Sequence, residues 1–446
     1  MKRTTWPRHL AAVTALALVA AACGAEDDAA DDDTDIAAPE DETVDETEEP
    51  DETEEDVPDD EELDVDRPER DETLNLGYIL PETGDLAFLA PAQIAGVELA
   101  VQDINDAGGV LGNEVPLSTG DEAGDASIAR DTAARLINEG VDAIVGAAAS
   151  GMSQEFIQLL EDNEIVQCSA ANTSPAFTDQ DNNSFYIRTV GPDEGVAPIF
   201  VNEVVGDGYT NVAVLARADD YGDALRELVV EGLEEQIEVA LDESYNPDSD
   251  DFSALVSQVQ GAGADAVVVI GFAESATLYL QLIEAGIGPE GLYGGDGVFG
   301  PPLADQVGTN IDGLKVIGAA GNEEFNDRLN EEMLADAGEE GNVIYGGQAY
   351  DCVMIIALAA IAADSTDPVD FNDELEGVTR DGEPCDSFEA CVELLEAGED
   401  IDYQGASGPI ELDRPDPQVG RYAVGLFEND GELTIIGDQD VDLGDL

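Results

Sequence analysis

From residue 73 to the end of the chain, apolar runs of 4–7 residues alternate with amphipathic stretches of 12–18 residues. Short apolar runs bounded by turn residues predict buried strands, and the longer stretches predict helices. The first cycle reads as strand 74–80, helix 91–107, strand 115–117, helix 126–138, strand 142–145, helix 153–162 and strand 165–168. A second cycle opens near residue 193, with strands 212–215, 237–245, 266–270 and 291–293. Helices near 221–234, 252–262 and 274–285 separate them. Strand 314–317 follows, then helices near 325–337 and 346–363, then strand-like segments 409–412, 421–427 and 433–436. This alternation argues for parallel sheets with helices on both faces. The length, roughly 370 residues beyond residue 72, exceeds one ordinary domain. The expected fold class is therefore α/β, with two doubly wound parallel-sheet lobes joined by short hinge strands.

Ligands of open parallel sheets bind beyond the carboxyl ends of the strands. The loops to inspect follow Leu80, Val145, Cys168, Leu215, Ile270 and Tyr293. After Val145 the chain runs Gly146-Ala147-Ala148-Ala149-Ser150-Gly151-Met152-Ser153, and after Cys168 it runs Ser169-Ala170-Ala171-Asn172-Thr173-Ser174-Pro175. Hydroxyls and backbone N–H groups with little side-chain bulk suit a small anion such as a carboxylate, aided by a helix N-terminus. Taken singly, Ser150, Ser153 and Thr173 read equally well as caps. The later loops carry acids and rings instead: Asp219, Asp220 and Tyr221 after the 212–215 strand, Phe272 and Glu274 after 266–270, and Asp296 and Phe299 after 291–293. A carboxylate beside a phenol or ring face suits an ammonium group. Asp296 also fits a Gly-Asp-Gly turn, and Phe272 and Phe299 also fit a core.

Composition narrows the chemistry. Trp6 is the only tryptophan and His9 the only histidine, so nothing beyond residue 9 can act through imidazole. That removes Ser-His-Asp and Cys-His catalysis and the commonest zinc ligand, so neither an enzyme nor a metal or cofactor site is expected. The formal net charge of −89 disfavours nucleic acid and anionic lipid headgroups as partners. It suits work in high salt, where screening removes most self-repulsion.

The start of the chain has its own pattern. Lys2, Arg3 and Arg8 precede an apolar run over 10–22, too short to cross a bilayer, which reads as a signal peptide over 1–22. Cys23 after a small-residue run resembles a bacterial lipobox, with Ala20 where Leu is usual. Lipidation at Cys23, and hence attachment to the outer face of the cell membrane, is the expectation; ordinary cleavage nearby is the alternative. From residue 25 to 72, 28 of 48 residues are Asp or Glu, which predicts a disordered, self-repelling tether over 23–72. Four further cysteines suit an oxidising compartment. Cys385 and Cys391, six apart, are expected to pair with each other. Cys168 is expected to pair with Cys352, the alternative being two buried free thiols.

Six stretches in order then carry a family resemblance. They are 96–109 (GVELAVQDINDAGG), 169–178, 186–190 (YIRTV), 220–222 (DYG), 251–253 (DFS) and 291–300. Over nearly all of 73–446 the chain resembles the leucine/isoleucine/valine-binding-protein family of ABC importer receptors. The resemblance implies a type I periplasmic-binding fold with three hinge crossovers, lobe one covering 73–190 plus 319–412 and lobe two 191–318 plus 413–446. It implies a monomer that takes a small amino acid, or a related solute, to an ABC permease in the membrane. Ser150, Ala171, Asn172 and Thr173 fall where the family holds the ligand carboxylate, and Tyr221 and Asp296 where it holds the ammonium. Leu89, Phe88 and Phe272 fall where it frames the ligand side chain. Asp296 stands in place of a longer Glu, Leu89 in place of an aromatic residue, and Phe272 in place of Tyr. Urea, short amides and aromatic acids are alternative ligands, and sensing for a signalling partner is an alternative role.

Overall fold

The computed structural model describes residues 63, 65–178, 184–336 and 342–444. The expected signal peptide, Cys23 and most of the acidic tether lie outside the described residues. Five strands, β1 (Leu76–Ile79), β2 (Leu117–Ser118), β3 (Ala143–Gly146), β4 (Val166–Ser169) and β5 (Tyr186–Arg188), form one all-parallel sheet in the order β2-β1-β3-β4-β5. Their crossover helices are α1 (Ala90–Asp106), α2 (Ala126–Glu139) and α3 (Ser150–Asp162). The central strands β1, β3 and β4 are buried throughout, as continuous apolar runs covered on both faces must be. Asp125 starts α2 by accepting from Ser127 N and Ile128 N, and Gly140, at φ 90°, ends it in a conformation open to glycine.

A second sheet grows from the next cycle. Helix α4 (Asp193–Gly206) leads to β6 (Asn211–Arg217), α5 (Gly222–Glu234), β7 (Glu238–Tyr245), α6 (Ser253–Ala262), β8 (Ala266–Ile270), α7 (Ser275–Glu284), β9 (Leu292–Gly294), α8 (Pro302–Val307) and β10 (Lys315–Ala319). The chain then returns to the first sheet. Helices α9 (Glu323–Asp336) and α10 (Gly346–Ala363) pack on α1, and α10 also reaches β3 and β4. Gly96 of α1 makes that approach possible, because a Cβ there would lie 2.1 Å from the Gly346 carbonyl oxygen. The short α11 (Pro368–Phe371), β11 (Glu383–Cys385), α12 (Phe388–Ala397), β12 (Ile401–Tyr403), β13 (Leu412–Asp413) and β14 (Asp416–Pro417) complete this side. Finally β15 (Val419–Glu428) and β16 (Glu432–Asp442) join the second sheet, whose order is β16-β15-β10-β9-β8-β6-β7. In that sheet only β15 runs against the other strands, pairing antiparallel with both β10 and β16, and the edge strands β7 and β16 are the polar, half-exposed ones.

Several expectations change. The ordered body reaches upstream of residue 73: the Arg67 Nη2 atom lies 2.9 Å from Asp142 Oδ1 and 3.0 Å from the Val141 carbonyl, and Arg70 pairs with Asp367 and Glu164. The only two cations of the acidic segment thus fasten its end to the body, where composition alone had placed residues 65–72 in the tether. Helix α3 starts at Ser150 rather than Ser153. Helix α4 escaped prediction as an element because Pro198 lies inside it and it is apolar nearly all round. The expected strand at 409–412 shrinks to the two residues of β13, while β16 extends over 11 residues. Both expected disulfides are present: Cys168–Cys352 joins β4 to α10, and Cys385–Cys391 joins β11 to α12.

Candidate functional site

The loops after β3 and β4 lie side by side because those strands are neighbours, and a buried polar network holds them together. Ser169 Oγ donates to the Ala147 carbonyl (2.8 Å) and accepts from Ala171 N and Asn172 N. Asn172 donates to the Ala147 and Ala148 carbonyls and accepts from the Tyr186 hydroxyl. Its side chain, and the N–H groups of Ala171 and Asn172, are therefore turned inward to position the loop. Arg188, fully buried in β5, donates at 2.9 Å to the carbonyls of both Asn172 and Ser174 and ion-pairs with Asp416 of β14. One guanidinium thus ties the loop to the last crossover between the sheets. Beneath the other loop, the buried Glu122 carboxyl accepts from Ala148 N (2.8 Å) and Ala149 N (3.3 Å). Burial pushes Glu122 up to about 8.

One hydroxyl faces the other way. Ser150, in the first turn of α3, accepts from Ser174 N at 3.5 Å and keeps its own hydrogen to donate. Thr173 Oγ1 is buried without a hydrogen-bond partner. Nearby, both carboxylate oxygens of the buried Asp193, at the start of α4, also lack a partner. Burial, and then the charge of Asp296, raise the Asp193 pKa well above the carboxylate range. Buried polar atoms with nothing to bond to are costly and cluster where a ligand completes them.

The second sheet supplies the opposing wall. Asp296 follows β9, and its carboxylate accepts from Gly297 N (3.0 Å), from the Tyr221 hydroxyl at Oδ1 (2.5 Å) and from the Tyr345 hydroxyl at Oδ2. Burial raises Asp296 and the two phenols help to lower it. Burial and the Asp296 charge hold both phenols far above their ordinary value, so they stay donors. Tyr221 stacks on Phe272 at 5.3 Å, and the Arg217 guanidinium covers the far face of Phe272 at 3.6 Å. Arg217 is held by Asp219 (2.5 Å) and Glu274 (3.1 Å), so the aromatic wall is fixed from behind.

Between these walls lies a cavity of about 20 Å³ lined by Leu86, Leu89, Ser150, Ala171, Tyr221, Phe272, Asp296 and Tyr345 among others. That is room for about one water, against the roughly 300–1,000 Å³ of a ligand pocket, so admitting a solute requires the walls to part. Of the residues expected at the site, Leu89, Ser150, Ala171, Tyr221, Phe272 and Asp296 meet around this cavity. Thr173 lies behind it on the same loop, Asn172 is engaged in the loop itself, and Phe88 lines a separate depression with Ala273 and Gly297. Sequence reasoning missed Leu86, Glu122, Asp193, Arg188 and Tyr345. A Tyr before a long apolar helix is a weak signal, and the acids are hidden among 104 Asp and Glu residues.

Comparison with known proteins agrees with this architecture. A family model described as "periplasmic binding protein" matches residues 73–421. Leu/Ile/Val-binding protein homolog 1 of Brucella abortus is 29% identical over 301 residues, covering 66% of this chain and 79% of that protein. Among solved structures, the branched-chain amino acid transporter substrate-binding protein LivJ from Streptococcus pneumoniae, solved with isoleucine, superposes with a TM-score of 0.69 at 22% identity, covering 83% of this chain and 99% of that one. A solute-binding protein of an ABC transporter from R. palustris, solved with 4-hydroxybenzoate, gives 0.68 at 16% identity, covering 83% and 96%. With two α/β sheets joined by crossovers, a polar cleft between them and a family match over most of its length, this chain belongs to the periplasmic binding protein family, has its type I fold and is similar to the Leu/Ile/Val-binding proteins.

Proposed function

We propose that this chain is the exported solute receptor of an ABC importer, lipid-anchored through Cys23, and that it captures a small amino acid by closure of two lobes. Lobe one is taken as 73–190 plus 319–412 and lobe two as 191–318 plus 413–446. The observation that carries the reading is the polarity of the cleft. On one side the Ser150 hydroxyl stands at the N-terminus of α3, where a carboxylate is favoured. On the other, Asp296 offers an acceptor for an ammonium, with the buried Asp193 carboxylate near enough for the two charges to act on each other. Leu86, Leu89 and Phe272 offer apolar surface to a side chain between them. Closure is a population shift toward a state in which both lobes touch the ligand. No chemistry on the solute is required.

A second reading is an aromatic acid. The Tyr221–Phe272 stack favours it, and it would leave Asp296 without an ammonium to hold. Calorimetry separates the two. With leucine and its desamino analogue 4-methylpentanoate as probes, Asp296→Ala should cut leucine affinity at least tenfold, the worth of a hydrogen bond to a charged group, and leave the analogue nearly unchanged. Equal losses for both probes would remove Asp296 from the ammonium site. Preference of the unmodified protein for benzoate over leucine would favour the aromatic acid.

A further inference from the structure

The loop that leaves the carboxyl end of β2 and leads into α2 runs Gly120-Asp121-Glu122-Ala123-Gly124-Asp125. Its backbone is tied on both sides of Glu122: the N–H donates to the Leu80 carbonyl and the carbonyl accepts from Asp125 N, each at 3.1 Å. The Glu122 side chain is fully buried. Both of its oxygens accept from backbone N–H groups of another loop, Oε2 from Ala148 and Oε1 from Ala149. Ala148, Ala149 and Ser150 are also among the residues that line the cavity between the two walls. A side chain that lines no part of that cavity thus holds, from behind, residues that do.

Helix α3 begins at Ser150, one residue after the second of these N–H groups. Its N-terminus carries a partial positive charge that favours an anion within the first turn. Glu122 and a solute carboxylate docked beside Ser150 draw on that same partial charge from opposite sides of one loop. Two carboxylates so placed, screened by protein rather than water, cannot both ionise without loss. The surrounding charges do not relieve them. Asp121, next in the chain, acts on Glu122 in the same direction as burial. Glu82 and Asp85 after β1, Asp125 at the N-cap of α2 and Glu155 of α3 are acids too. From the second sheet's side, Asp220 Oδ2 lies 3.4 Å from where a Cβ on Gly151 would stand. Helix α2 carries Asp131 and the cations Arg130 and Arg135, of which Arg135 is engaged by Glu139 and the Thr119 carbonyl.

We infer that Glu122 is a positioning residue for the carboxylate end of the solute: it holds Ala148 and Ala149 in place, and its own charge, when present, competes with the solute's for the N-terminus of α3. This role rests on the proposed docking of a solute carboxylate beside Ser150, and it is the same for an amino acid and for an aromatic acid. Burial pushes Glu122 up to about 8, so below that pH the group is neutral and the helix N-terminus is left to the solute. A bound carboxylate raises Glu122 further. Binding near pH 8 therefore takes up a proton, and affinity falls as pH rises through that value.

Calorimetry on the full chain compares the unmodified protein with Glu122→Gln, which keeps the shape and an acceptor but never ionises. With leucine the two should bind about equally at about pH 7, and at about pH 9 the variant should bind about tenfold more tightly. Asp193 and Asp296 are present in both proteins, so their titration drops out of the comparison. An affinity ratio that is the same at both pH values overturns the role, because a merely structural Glu122 would change binding by one factor throughout. A second measurement needs no variant. The analogue 4-methylpentanoate, which carries no ammonium, should take up about half a proton on binding to the unmodified protein near pH 8, read from heats in buffers of different ionisation enthalpy. No uptake, or release, overturns the role. If the unmodified protein binds none of leucine, 4-methylpentanoate and benzoate, the reading of a carboxylate-bearing solute fails and the role of Glu122 with it. Binding with a constant ratio leaves that reading standing and removes Glu122 alone.

Discussion

Glu122 illustrates how much a single buried group can decide without touching solute. Its folded-state value of about 8 lies far above the roughly 4.3 of an unfolded glutamate. Between those values the folded protein keeps a proton that the unfolded chain has released. Stability therefore falls as pH rises through that window, and above about 8 the penalty is fully present. Asp142 and Asp351, both raised to about 6 by burial, add to the fall only in its lower part. Above about pH 6 the decline reports on Glu122 together with Asp193, whose pKa burial and the charge of Asp296 also raise well above the carboxylate range. We expect Glu122→Gln to make the decline of Tm shallower there; a slope equal to that of the unmodified protein would rule out Glu122 as one of its sources. At this scale the chain is only partly readable. Ser150, Tyr221 and Asp296 could be found because strand ends announce their loops. Asp193 and Glu122 could not, because an acid is marked as functional only by what surrounds it, and in this chain acids are everywhere.

Helix α10 is the element on which most of the site depends. It was legible as a long apolar helix, and among the described residues it is the only helix long and apolar enough to cross a membrane, yet it is almost wholly buried against α1 and the first sheet. Its bridge to β4 closes 184 residues of chain, whereas the Cys385–Cys391 bridge closes six. Chain-entropy scaling assigns about 5 kcal/mol to the first and about 2 kcal/mol to the second. Replacing Cys168 and Cys352 together by Ala should therefore lower the urea midpoint by about twice as much as replacing Cys385 and Cys391. The reverse ranking would mean that native-state strain, rather than the unfolded chain, governs these bridges. The missed helix α4 teaches the complementary lesson. Pro198 and an apolar surface on nearly every side erase the periodicity by which a helix is recognised, although burial against α5 and β10 stabilises it.

For the whole molecule, a net charge of −89 means that like charges repel across nearly every surface. At 0.1 M salt the screening length is about 10 Å, and at 1 M about 3 Å. Raising sodium chloride from 0.1 to 2 M should thus raise Tm, and a flat response would show that charge repulsion does not limit this fold. The alternation of apolar runs and amphipathic stretches was enough to determine two α/β cycles, because burying a parallel strand demands a continuous apolar run and its crossover demands a helix. The lack of any histidine beyond His9 was enough to disfavour most hydrolytic chemistry, and the order of the strands pointed to the loops where a solute would sit. Sequence could not decide which residues of those loops turn inward and which face the cleft. Asn172 and Arg188 are engaged in holding a loop, Thr173 and Asp193 are left without partners, and Tyr345 arrives from 49 residues beyond Asp296 to close on it. Those assignments depend on contacts between segments far apart in the chain, set by sheet order and by the return of the chain through α9 and α10, and local pattern carries no record of them.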